Sequence, residues 1–336
     1  MRRRQMKKQK RIIIISSLCL LLCLCVGYAA FQTTLSITAK GNIIDNSVDI
    51  TDNVVTEGDG LYEDIYEEGR YVYRGQNPDN YIWFNDELWR IVAKETDGTY
   101  KIIRNDVLAQ RAFDERNHRS TENNSYCTNP TLGCGVYAAV EGTFSSPSGS
   151  QSGTVTEDSS IKLYLNDDYY VNNINATAKG QMTSHSFNIG AVEELDQSGA
   201  EADSIEKNIV GEKMYTWTGN VGLANVSDIL RASTNPLCTS ASYLSIEGEG
   251  NECNSNYLLD KGTASSLYYW TINAFSSESG GNPHQVWNGR VGSSYAYVNH
   301  YIVYISNSSA SRPVVFLKSD TTLSGSGTSE DPFIIV

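Results

Sequence analysis

The chain has 336 residues, with 26 Lys and Arg against 39 Asp and Glu, four His and seven Cys. Seven of the cations fall within residues 1–11, so the remainder carries 19 basic against 39 acidic groups, a net charge of −20. A body this acidic is repelled by nucleic acid, anionic lipid headgroups and anionic wall polymers, which excludes nucleic acid as a partner.

The N-terminus sets location. Arg2, Arg3, Arg4, Lys7, Lys8, Lys10 and Arg11 precede an apolar stretch, residues 12–30, broken only by Ser16 and Ser17. That stretch is close to the roughly twenty residues needed to cross a bilayer as a helix. The cations sit on one flank, so the positive-inside rule makes 1–11 a cytoplasmic tail and 12–30 a transmembrane signal-anchor, with the rest extracellular. Gly27-Tyr28-Ala29 also reads as a cleavage site, which would release a secreted chain. Cys19, Cys23 and Cys25 lie inside the apolar stretch, each preceded by Leu, and read as small apolar residues facing lipid. Residues 31–60 form a stalk and linker, with Leu35 and Ile37 alternating with Ser36 and Thr38 and an acidic, turn-rich stretch over 48–60.

From residue 61 to 336 the pattern is that of one α+β extracellular domain, rich in strands. Tyr71–Arg74 is a short strand. Tyr81–Phe84, Glu87–Ala93 and Thr99–Arg104 form a meander with turns at Asn85-Asp86 and Asp97-Gly98. The Ser/Gly/Thr-rich stretch from Gly142 to Asp158 reads as an exposed loop that buries nothing. Ser159 and Ser160 cap a helix whose apolar face is Ile161, Leu163, Tyr164, Leu165 and Tyr169. Asp203–Met214 is a second helix; Val221–Leu223 reads as a buried strand and Val226–Leu230 as a helical turn. Strands return at Tyr268–Ile272, Gln285–Trp287, Ala296–Ile305 and Arg312–Lys318, and a last one at the C-terminus.

Four cysteines remain outside the anchor: Cys127, Cys134, Cys238 and Cys253. In an extracellular setting they allow three disulfide connectivities, of which the local pairing, Cys127–Cys134 and Cys238–Cys253, closes short loops. Reduced thiols are the other reading, and neither pair has zinc-ligand spacing. The acidic run from Glu57 to Glu68 lacks the alternating ligands and glycine of a calcium loop. Cofactor and catalytic signatures are absent. Ser159–Lys162 and Ser204–Lys207 match the S-x-x-K spacing of penicillin-interacting enzymes without the companion motifs. His118, His185, His284 and His300 read as exposed loop histidines.

Aromatic residues concentrate between 268 and 304, among Asn, Gln and Arg side chains. Such mixtures stack on sugars and peptides and orient them by hydrogen bonds. The candidate ligand site is Trp270, Trp287, Arg290, Tyr295, Tyr297 and Asn299, the rings stacking and Arg290 and Asn299 orienting polar groups. Alternate strand positions point inward, so half of these rings belong to a core. Rings turned inward indicate a structural role, and rings lining a concave face indicate binding.

The exit sequence Gly27–Leu35, the segments Gly69–Gly75, Asn77–Tyr81 and Leu88–Ile91, and the ending Ser311–Lys318 with Gly325–Pro332 resemble uncharacterised membrane-anchored surface proteins of low-GC Gram-positive gut bacteria. The Trp-rich C-terminal third with Arg312-Pro313-Val314-Val315 resembles more weakly the C-type lectin-like fold of formylglycine-generating enzymes and their non-catalytic relatives. That second resemblance implies pairing of the first and last strands and a variable face of long loops. The catalytic cysteine pair of those enzymes and the calcium-dependent sugar motif of the lectins have no counterpart, so neither activity is implied. The sequence therefore points to a single-pass surface protein with a non-catalytic binding domain for a glycan, peptide or protein. The alternatives are a structural or assembly component of the envelope, and an envelope hydrolase whose catalytic residues are not recognisable.

Overall fold

Short strands, several buried on both faces, build the larger sheet. In the computed structural model they are β1 (Gly60–Glu63), β2 (Tyr71–Arg74), β3 (Tyr81–Phe84), β4 (Glu87–Lys94) and β5 (Tyr100–Arg104). The described residues are 47–116, 118, 126–127, 132–193, 203–235, 238, 255–260, 266–276, 284–291, 296–303 and 309–336, all within the unit Asn46–Val336. The predicted anchor lies outside them, and among the described residues no helix is long and apolar enough to cross a membrane.

The meander forms because its turns supply the required backbone. Asn85 and Asp86 adopt φ of 55° and 61° between β3 and β4, the left-handed pair of a two-residue hairpin. Between β4 and β5, Gly98 takes φ 84°, and the Asp97 carboxylate accepts hydrogen bonds from the Thr99 N–H (3.0 Å) and hydroxyl (2.7 Å).

After β5 come β6 (Thr143–Ser145) and β7 (Ser152–Thr154), then a helix. Its first turn, α1 (Ser160–Leu163), passes into a π-helical stretch, Tyr164–Tyr169, and on into α2 (Tyr170–Asn173). Ser159 caps it, accepting from the Lys162 N–H. The helix α3 (Ala176–Gln181) leads to β8 (Met182–Thr183), β9 (His185–Asn188) and β10 (Val192–Glu193). Then follow α4 (Asp203–Lys213), β11 (Thr216–Gly219) and α5 (Val226–Arg231). The strands β12 (Leu267–Ser276), β13 (Gln285–Val291), β14 (Ala296–Ile302), β15 (Val314–Leu317), β16 (Leu323–Ser324) and β17 (Ile334–Ile335) complete the described chain.

The result is strand-rich and mixed, as the α+β reading expects. Among the described residues the larger sheet runs β1-β2-β4-β5-β15-β8, with β3 also on β4. A second sheet runs β10-β12-β13-β14, antiparallel except for the parallel β10–β12 pair. One continuous core joins them, from Trp89 and Ile102 to Trp270 and Trp287. Among the described residues the first strand pairs with β2 and the last with β16. The two ends meet at one isolated antiparallel bridge, Val48 with Leu323.

Two sequence expectations are corrected. Residues 48–60, taken as linker, belong to the fold: Ile50 is buried in a 3₁₀ turn capped by Asp49. The stretch 142–158, taken as an exposed loop, holds the β6–β7 hairpin and buries Phe144 and Val155 in a smaller core with Tyr126, Cys127, Cys134 and Ala274. Two isolated apolar residues suffice because Tyr215 stacks on Phe144, ring centroids 4.5 Å apart, and its hydroxyl accepts from the Ser145 N–H. Val221–Leu223 is buried but makes only a bridge, Gly222 with Val314, rather than a strand.

Candidate functional site

The aromatic residues expected to form a ligand face divide. Trp270 and Trp287 are fully buried, and each indole N–H is satisfied by backbone, the carbonyls of Arg111 and Val192 respectively, both at 2.8 Å. Trp270 packs edge-on against Phe113 and Trp287 against Phe275. Neither is available to a ligand. The physical reason is that β12 and β13 are covered on both faces, so alternation sends no ring of this pair outward. Arg290 is partly exposed, its guanidinium 4.9 Å from the Tyr268 ring and 5.7 Å from that of Tyr301. Register places Arg290 opposite Tyr297 and Asn288 opposite Asn299. Tyr295 and Cys253 lie outside the described residues, as do the side chains of Tyr297 and Asn299.

The other candidates are occupied structurally. Cys127 and Cys134 are buried thiols rather than a bridge, and Cys127 donates to the Gly133 carbonyl at 3.2 Å. Cys238 is buried in the main core. Ser159 donates to the Tyr137 carbonyl at 2.7 Å while Lys162 pairs with Asp158, so this S-x-x-K is a helix start and not a nucleophile with its base. His284 is not an exposed loop histidine: it is buried against the Gly133 carbonyl, and burial holds its ring below the usual histidine range. His185 stacks on Phe316 and meets Asp97 at 3.1 Å.

Two concave features of the described residues are rich in polar side chains. The first is a narrow, polar cleft of about 80 Å³ where the segment before β2 meets β5, β9, α4 and α5. Arg70 lies at its centre, bonded to Glu95 (2.7 Å), Asp64 (2.9 Å) and Asp228 (3.3 Å). Lys101 reaches Asp228 at 2.5 Å, and Arg231 reaches Glu67 at 3.0 Å. Burial pushes the Asp228 carboxyl up, but Lys101 and Arg70 outweigh it and hold it below the usual range. Glu212 is buried with no lysine or arginine bonded to it. It accepts from the Ser227 N–H (2.8 Å) and hydroxyl (2.5 Å), and burial pushes its carboxyl up to about 7. The acidic run from Glu57 to Glu68 thus supplies Asp64 and Glu67 to a buried network.

The second feature is an open groove of about 430 Å³ between the β3–β4 turn, the start of α3 and β17. Trp83 lines it, 47 % exposed, in the strand pattern that buries Ile82 and Phe84 on either side. Asn85, Asp86, Asn175, Thr177 and Gln181 add amides, a hydroxyl and one carboxylate, and among the described residues no lysine or arginine lines the groove. The wall is fixed by side-chain bonds: Asn85 donates to the Asn173 carbonyl (3.0 Å) and accepts from the Asn175 N–H (2.8 Å), while Asn175 donates to Asp86 (3.0 Å). Ile334 stands half-exposed at the opposite edge. Sequence reading placed Trp83 on a strand but did not single it out. The available signal was its position between two inward residues.

Comparison with known proteins finds no match among family models, curated proteins or solved structures.

Proposed function

We propose that the chain is a single-pass, membrane-anchored surface protein whose extracellular domain binds a neutral glycan in the Trp83 groove. The anchor reading rests on residues 1–30, and the lectin-like resemblance enters only as an analogy for a loop-presented binding face. The observation that carries the ligand class is a half-exposed indole in an open groove walled by amides. Indole faces stack on the apolar faces of sugar rings, and amides pair with hydroxyls in both directions. Asp86, the one charge on the wall among the described residues, and the strong negative charge of the whole disfavour anionic polymers.

The test is a glycan array probed with the purified full chain and with Trp83→Ala. Binding to neutral glycans weakened about tenfold or more by the substitution is expected, matching the loss of roughly 1.4 kcal/mol or more. Absence of neutral-glycan binding by the wild type, or equal binding by both, overturns the reading.

The second reading, a structural or assembly component of the envelope, is favoured by the inward packing of Trp270 and Trp287. It predicts co-purification with other membrane proteins and an indifferent array.

A further inference from the structure

Lys101 is a buried lysine whose surroundings go beyond an ion pair. It projects from β5 with its Nζ 2.5 Å from Asp228 Oδ2 and 3.3 Å from Asn225 Oδ1. The Asn225 carboxamide is held from its other end, Nδ2 donating to the Asn188 carbonyl (2.7 Å) and to Asn273 Oδ1 (3.2 Å). Asp228 is itself fixed, its Oδ2 accepting from the Asn225 N–H (2.9 Å) and its Oδ1 facing Arg70. Arg70 already gives Asp228 a buried cation, so neutralising that carboxylate does not by itself account for bringing the amine against the amide. All three reacting residues are at most 5 % exposed. A primary amine, a carboxamide carbon and a carboxylate are thus clamped together away from water.

We propose that Lys101 and Asn225 join in a self-formed amide cross-link, with Asp228 as the base. Asp228 takes a proton from the Lys101 ammonium, and the freed lone pair attacks Asn225 Cγ. The carbonyl electrons move onto Oδ1, and the new nitrogen gives up a second proton through Asp228 to Nδ2. The tetrahedral centre then collapses, the Cγ–Nδ2 bond breaks, and ammonia leaves carrying that proton. Asp228 returns the first proton to it, so the products are a secondary amide and an ammonium ion, with no oxidant or cofactor needed. Fixing the partners in contact replaces an encounter between separate molecules, a large advantage for such a reaction. One event per chain suffices, so a slow step is enough. The bond would tie β5 of the larger sheet to the start of α5.

Proteolytic digestion of the purified full chain followed by tandem mass spectrometry decides the matter. The expected result is a branched peptide joining the Lys101 and Asn225 segments, lighter by one ammonia than its two parts. Lys101→Arg keeps a cation beside Asp228 but should yield only linear peptides. Linear peptides with intact Lys101 and Asn225 in the wild type overturn the proposal. So does a branch that has lost water instead, since that places the bond on Asp228. The wild-type digest stands alone even if the variant does not fold.

Discussion

Arg70, immediately before β2, and Asp228 in the first turn of α5 stand 158 residues apart in sequence and meet at 3.3 Å, both side chains at most 3 % exposed. That contact fastens the larger sheet to a helix that also packs on β12 of the second sheet. The sheets are therefore coupled through charge as well as through apolar packing.

Removing one member of such a network leaves its partners uncompensated in a poor solvent for charge. Arg70→Met should destabilise the chain by about 3–5 kcal/mol, because Asp64 and Glu95 lose their buried partner. Urea denaturation of variant and wild type measures it. A loss under about 1 kcal/mol would mean that water reaches the cleft and screens it.

Glu212 gives a signed pH dependence. Its folded carboxyl titrates at about 7 against an ordinary 4.5, so between those values the folded state holds more protons than the unfolded one. Stability from this group is complete below 4.5 and is lost as pH rises toward 7, a total of roughly 3 kcal/mol at most. Glu212→Gln keeps a polar group beside Ser227 but cannot ionise. The stability difference between variant and wild type should therefore swing toward the variant from pH 4.5 to 8 and level off beyond. Parallel denaturation curves across that range would remove the assignment.

The buried indoles should respond as core rather than as surface. Trp287→Ala should cost about 3–5 kcal/mol, and Trp287→Phe less, chiefly the hydrogen bond to the Val192 carbonyl. Thermal unfolding with near-ultraviolet dichroism follows both. A Trp287→Ala chain as stable as wild type would return this residue to the surface.

Cys127 and Cys134 should resist thiol reagents in the folded chain and react together on unfolding, since both are buried in the smaller core. Labelling with and without denaturant, read by mass spectrometry, separates this from a Cys127–Cys134 bridge, which would react in neither state. The Cys238–Cys253 bridge stays a proposal that the same experiment addresses.

How much of this the sequence made legible depends on how local the cause is. The meander, the Ser159 cap and the helix at 203–213 follow from turn residues, a capping hydroxyl and apolar spacing, all set within a few positions. The fate of Trp270 and Trp287 does not, because alternation assigns faces only when one side of a strand meets solvent, and β12 meets protein on both. The same holds for the cluster of Arg70, Lys101 and Asp228: each residue is ordinary in its own segment, and only the meeting of the segment before β2 with β5 and α5 makes it a site. Trp83 was legible in principle from the buried pair that flanks it, but an isolated ring drew less notice than a crowd of them.

One consequence follows from the place of β15 in the larger sheet. It lies between β5 and β8, with Val314 opposite Ile103, roughly two hundred residues later in the chain. Until β15 arrives, β5 has an open edge and the core above it has no lid. The larger sheet is therefore complete only once this strand of four residues is in place.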